Sequence, residues 1–191
     1  MKESERSEDI KTALEILRKG GIILYPTDTV WGIGCDAGNP EAVRRIYALK
    51  QRSDSKSMIV LLDDMNKLER YADVPEIAYE LIEAAVEPMT IIFDGASNMA
   101  PEIIAADGSV GIRITGEEIS AALCRGLRRP LVSTSANISG RPTPHTFREI
   151  SKEILDGVDY VMKSRQDETE LPKPSTIIRL HPDGRFAIIR K

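Results

Sequence analysis

Apolar positions recur along this chain in two periods. Between Ser7 and Leu17, the residues Ile10, Ala13, Leu14 and Leu17 fall three or four apart, on one stripe of a helix. Ser7 is placed to cap that helix, Glu8 and Asp9 complement the positive end of its dipole, and Lys19-Gly20-Gly21 stops it. The run Ile22-Ile23-Leu24-Tyr25 is short and continuous, as in a buried strand. Asn39 and Pro40 open a helix over 39–52, an asparagine cap followed by a proline where no hydrogen bond is lost, with Val43, Ile46 and Tyr47 facing the core. A buried strand follows at 58–62, helices around 64–72 and 75–85, a strand at 90–93 and a short helical stretch near 102–105. Residues 109–114 alternate as a strand, 116–127 read as a helix, and 130–136 as a strand whose end turns polar. Turn formers fill 137–144, a helix spans 147–155, and late strands lie at 160–163, 175–180 and 186–190. The stretch 165–174 is charged, carries proline and is expected to be a mobile loop. Strands alternate irregularly with helices and nothing repeats. The expectation is an α/β protein: one domain over 1–191, with a single-domain twisted mixed sheet, flanking helices and one shared core.

Composition narrows what such a sheet serves. At 191 residues and 41% hydrophobic content the chain can bury an ordinary core without disulfides. A net charge of −4, from 26 basic and 30 acidic residues, gives no global pull toward nucleic acid or membrane. Two cysteines without a CxxC, and two histidines, make a poor metal inventory and suit a reducing compartment. The first twenty residues are charged, and no apolar run reaches membrane-spanning length. A soluble, cytoplasmic protein with no membrane association is expected.

Familiar catalytic motifs are absent. There is no GxxxxGK[ST] loop, and "GIGCDAG" at 32–38 has the wrong last gap and the wrong context for a dinucleotide fingerprint. "STSAN" lacks the GxSxG frame of a nucleophile elbow, and His145 and His181 read as exposed loop histidines. Cys35 and Cys124 read as small core fillers.

Instead, hydroxyls and cations collect at the ends of predicted strands and helices. They are Thr27, Asp28 and Thr29; Lys50 and Arg52 with Lys56 and Ser57; Ser109 with Arg113; Ser133, Ser135 and Asn137 with Arg141 and Thr143; and Ser175 and Thr176 with Arg190. Ligands of open α/β sheets gather at strand ends, where cations clamp phosphates and hydroxyls supply hydrogen bonds. The set points to a site for a polyanion and a small polar molecule. Taken singly, each has a plainer reading: cations favoured at a helix C-terminus, a structural partner for Arg113, a capped turn at "STSAN", a core tryptophan at Trp31.

Their order along the chain is more specific. "YPTDTVWGIG", "ALKQR", "SVGIRI", "STSANISGRPTP" and "KPSTIIRL…IIRK" together resemble the YrdC-like family of threonylcarbamoyl-AMP synthases, from about Gly20 to Lys191. The longer members carry a further C-terminal domain, which this chain is expected to lack. The resemblance implies a twisted sheet around a concave, positively charged cavity. It implies a nucleotidyltransferase that joins L-threonine, bicarbonate and ATP into threonylcarbamoyl-AMP and releases pyrophosphate, with Mg2+ on the phosphates. The product would serve threonylcarbamoyladenosine formation in tRNA through downstream tRNA-modification proteins. It implies that Lys50 and Arg52 meet the phosphates as the catalytic pair, and that Lys56, Ser109, Ser135, Asn137, Thr143 and Arg190 complete the nucleotide site. It places the amino acid on Thr29, Arg113, Ser133, Ser175 and Thr176, with Arg113 on its carboxylate. Three residues depart from the family pattern: Trp31 replaces a tyrosine, Ser57 a proline, and Glu87 a glycine. They leave one alternative, a divergent YciO-like paralogue; the charge and width of the family's cavity suggest a second, a double-stranded RNA-binding protein, against which the offset charges and the low aromatic content, 5%, argue.

Overall fold

A computed structural model describes residues 2–51, 58–169 and 175–190. Helix α1 (Glu3–Arg18) starts earlier than the pattern predicts, so Ser7 lies inside it and does not cap it. The backbone N–H of Lys2 donates to Glu5 at 2.8 Å, and acidic Glu3 and Glu5 suit the positive end of the dipole. Strands β1 (Ile23–Tyr25) and β2 (Gly32–Gly34) pair antiparallel. β2 escapes a hydrophobic count, because only Ile33 in it is large and apolar. Its glycines are dictated by close approach: a Cβ on Gly34 would lie 2.6 Å from the Val132 carbonyl oxygen and 2.7 Å from the Tyr25 ring. Helix α2 (Pro40–Lys50) has its Asn39 cap, which accepts from the Ala42 N–H at 3.1 Å.

Strand β3 (Ile59–Leu62) leads to a 3-10 segment, Met65–Arg70, where a longer helix is expected, and then to α3 (Ile77–Ala84) and β4 (Met89–Phe93). A 3-10 turn at Pro101–Ile103 precedes β5 (Val110–Ile114), α4 (Glu118–Leu127) and β6 (Leu131–Ser135). The helix expected over 147–155 divides: a 3-10 turn, Phe147–Glu149, gives way to extended backbone at Ile150 and Ser151 before α5 (Lys152–Gly157). Short β7 (Tyr160–Val161), then β8 (Thr176–Leu180) and β9 (Phe186–Arg190), complete the chain.

Among the described residues the strands form one nine-stranded mixed sheet in the order β7-β1-β2-β6-β3-β5-β4-β8-β9. On one face α2, α3 and α5 pack over Ile33, Val60, Ile91, Ile112 and Val132. On the other, α1 and α4 cover Ile23, Tyr25, Leu61 and Leu131. Strand alternation carries this second face onward. Leu61 pairs with Arg113 and Ile59 with Ser133 and Gly111, while Thr90 pairs with Ile177. Past the two helices, then, the sheet presents small and polar side chains where it presented leucines.

Cys35 and Cys124 are free and buried in these two layers. Burial pushes both thiols up, Cys124 to about 12. Neither should react with a disulfide reagent at pH 8 in the native protein, and both should react once it is unfolded. Stoichiometric thiol release without denaturant would contradict this packing.

Candidate functional site

The polar part of that face lines a cavity of about 350 Å3. Its walls are Thr27, Thr29 and Val30 from the β1–β2 turn, Gly32, Met58, Ile59, Thr90, Arg113, Ser133, Thr134, Ser135, Thr143, His145, Ser175, Ile177 and Arg190. No aspartate or glutamate is among these described lining residues. A Cβ on Gly32 would come 3.1 Å from Thr27 and 3.5 Å from the Ser133 hydroxyl, so any side chain there would fill the floor.

The "PTDT" turn is locked by its own hydroxyls. Thr27 Oγ1 donates to the Val30 carbonyl at 2.7 Å and accepts the Thr29 N–H at 3.0 Å. This aims Asp28 at Arg113, whose Nη1 meets the carboxylate at 2.7 Å; the side chains of the pair are 6% and 14% exposed. Arg113 also donates to Thr90 (3.1 Å), Thr29 (3.3 Å) and Ser175 (2.9 Å). Four of the five N–H groups of a guanidinium are thereby engaged, and among the described residues one on Nη2 has no partner. Arg113 is at once a cavity wall and half of a buried ion pair.

Arg190 reaches the same serine. It donates to the Ser175 carbonyl at 3.0 and 3.2 Å and to its hydroxyl at 3.0 Å. Two cations thus converge on one buried hydroxyl. Arg190 has no carboxylate within ion-pair distance among the described residues. Under the floor, Tyr25 donates to the Val132 carbonyl at 3.2 Å, and burial pushes its phenol pKa well up, so it stays neutral.

The loop after β6 forms the far wall. Ser135 donates to Asn137 Oδ1 at 2.5 Å, and Asn137 donates to the carbonyls of Arg141 (2.7 Å) and Ile138 (3.2 Å). With its proton given to an amide oxygen, Ser135 is a hydrogen-bonding group and not an activated nucleophile. Lys50 lies beneath: almost wholly buried, it donates to the carbonyl of Asn137 at 2.6 Å and to that of Ser135. Ser139 N–H in turn donates to the Lys50 carbonyl at 2.8 Å. The ammonium therefore braces the loop from behind and is not among the lining residues.

Of the residues singled out in the sequence, Thr29, Arg113, Ser133, Ser135, Thr143, Ser175 and Arg190 line the cavity together. Asn137 and Thr176 adjoin it without lining it. Ser109 precedes β5 at the end opposite Arg113, where it donates to Asp107 at 2.6 Å, and is not among the lining residues. Arg52, Lys56 and Ser57 lie outside the described residues. His145, read as a loop histidine, is a cavity wall, and its signal was its place two residues after Thr143. Trp31 packs at a tilt on Phe147 in the core, with ring centroids 5.0 Å apart, and is not among the described lining residues of this cavity. Glu87 lines a separate, largely apolar hollow with Leu68, Ile82 and Phe93.

Comparison with known proteins finds relatives over nearly the whole chain. The family model Sua5_yciO_yrdC, described as "Telomere recombination", matches residues 15–191. A Methanocaldococcus jannaschii protein, provisionally named a threonylcarbamoyl-AMP synthase, is 40% identical over 186 residues, 95% of this chain and 86% of its own. The threonylcarbamoyl-AMP synthase of Halorhodospira halophila is 35% identical over 168 residues, covering 86% of this chain and 87% of that one. Among solved structures, P. abyssi Sua5 complexed with L-threonine superposes with a TM-score of 0.81 at 29% identity over 90% of this chain. The chain spans 50% of that Sua5. E. coli YciO superposes with a TM-score of 0.82 at 28% identity, over 95% of this chain and 88% of that one.

Proposed function

The chain belongs to the Sua5/YciO/YrdC family, and on that premise we propose that it makes threonylcarbamoyl-AMP from L-threonine, bicarbonate and ATP. Threonine's ammonium group and bicarbonate condense to a carbamate with loss of water and a proton. A carbamate oxygen then attacks the α-phosphorus and pyrophosphate leaves. Every reactant in that second step is an anion, so the protein's task is to position charges and neutralise them, with no protein nucleophile.

The observation that carries the reading is the convergence of Arg113 and Arg190 on Ser175 in a cavity whose described walls hold no carboxylate. Arg113, with one N–H to spare and Thr29, Ser133 and Ser175 around it, suits the threonine carboxylate. Arg190, Ser135 and Thr143 suit the nucleotide, with Arg52, Lys56 and Asn137 assigned to it by resemblance and Thr176 to the amino acid; Lys50 and Ser109, which the resemblance also assigns to the nucleotide, are not among the lining residues and meet backbone carbonyls and Asp107 instead. Among the described residues no group of three or more His, Cys, Asp or Glu could hold a metal. A Mg2+ ion would therefore arrive on the oxygens of the triphosphate. No helix of the described residues is long and apolar enough to cross a membrane. The product would pass to proteins that modify tRNA.

The test is pyrophosphate release with threonine, bicarbonate and ATP, omitting each in turn. Dependence on all three is expected; release independent of threonine would reject the reading. Arg190→Ala should weaken ATP binding about tenfold, roughly 1.4 kcal/mol. Titration calorimetry with unchanged ATP affinity would remove Arg190 from the nucleotide side.

A further inference from the structure

We propose that Arg165 is a positioning residue for the amino-acid half of this site: it fixes the 27–30 turn and, through Asp28, the guanidinium of Arg113. The inference rests on the threonine reading above. Arg165 opens the charged stretch expected to be a loop, and the residues just before it are held at several points. Just before it, the buried carboxylate of Asp9 on α1 accepts the N–H groups of Lys163 (3.0 Å) and Ser164 (2.8 Å), the Ser164 hydroxyl (2.5 Å) and the Tyr160 hydroxyl (2.7 Å). Burial raises the pKa of Asp9, but these donors outweigh it and leave the group below its ordinary value, an ionised anchor. Arg165 itself sits at φ 62°, a left-handed conformation that a non-glycine residue keeps only where its surroundings fix it.

The side chain spans three elements. Nη1 donates to the Thr27 carbonyl at 3.0 Å and lies 3.2 Å from Glu117, which caps α4 by accepting the N–H of Ser120 at 2.7 Å. Nε and Nη2 pair with Glu168, each at 2.7 Å to its Oε2. The Thr27 carbonyl belongs to the peptide that leads into Asp28, and Asp28 holds Arg113. Rotation of that peptide would swing the carboxylate away from Arg113. An exposed Arg–Glu pair alone contributes little. The bond to the Thr27 carbonyl differs, because it reaches across 138 residues to the wall of the cavity.

Arg165→Ala should raise the threonine KM about tenfold, the loss of one charge-assisted hydrogen bond, with the ATP KM within twofold. Glu168→Gln removes the ion pair and keeps the Thr27 bond, so its threonine KM should stay near that of the parent. A merely structural role would move both KM values together in Arg165→Ala, or move the threonine KM equally in the two variants; either result overturns the inference. So does an Arg165→Ala protein with the parent's threonine KM while the parent depends on threonine. If the parent shows no threonine dependence, and none of the direct threonine binding that calorimetry would detect, the reading of the reaction falls and takes this inference with it.

Discussion

An Arg113→Lys protein is expected to fold and to lose about 100-fold in kcat/KM for threonine. The guanidinium engages Asp28, Thr29, Thr90 and Ser175 in four directions. An ammonium has three donors on one nitrogen and can keep the pair with Asp28, but it cannot span Thr90 and Ser175 as well. Losing two charge-assisted hydrogen bonds that fix the donor toward the carboxylate, at roughly 1.5 kcal/mol each, gives about that factor. Lysine is the informative change, because Arg113→Ala would leave the Asp28 carboxylate unpaired. Stranding one partner of a buried pair costs about 3–5 kcal/mol, so lost activity could then reflect unfolding. The measurement is threonine kcat/KM at saturating ATP, with circular dichroism confirming the fold. An unimpaired lysine variant would mean that a point charge suffices and that Arg113 serves its ion pair alone.

Much of this site was legible as residue type at the ends of elements. Ser133 and Ser135 stand two apart on a strand that begins Leu131, so period-two alternation put them on the face that buries Leu131. Once α1 and α4 end, that face becomes the cavity. Arg113 could be placed by the same rule, two residues after Gly111. What the pattern missed was set by contacts between distant segments. β2 exists because its two glycines leave room for the Tyr25 ring, and Gly34 also for the Val132 carbonyl, and a hydrophobic count is blind to glycine. The break at Ile150 and Ser151 interrupts a sequence with good helical spacing, and no proline or glycine marks it. Arg165 had no signal at all, since a charged loop residue discloses its partner only when Thr27 and Glu117 are brought beside it.

Lys50 shows most clearly where residue type stops being enough, and Lys50→Met should cost about 2–4 kcal/mol of stability. At the end of a helix a lysine satisfies the dipole, and next to Arg52 it resembles a phosphate contact. The fold turns its four-carbon stem inward, where the ammonium donates to the carbonyls of Ser135 and Asn137. Methionine retains the stem's volume and removes the donors, leaving two carbonyls of a buried loop in want of partners, at roughly 1–3 kcal/mol each. The desolvation cost of a buried ammonium disappears with it, which holds the net loss near the lower half of that sum. Denaturant unfolding should show a lower midpoint at unchanged slope. ATP affinity should fall as a consequence, because Ser135 and Thr143 hang on the loop that Lys50 braces. If the ammonium instead met phosphate directly, the order would reverse: ATP affinity would drop while the unfolding midpoint of the nucleotide-free protein stayed put. Lys50→Arg separates the two further. A guanidinium could still meet phosphate, but a larger head in a filled interior would displace the loop, so the brace predicts that arginine fails to restore stability.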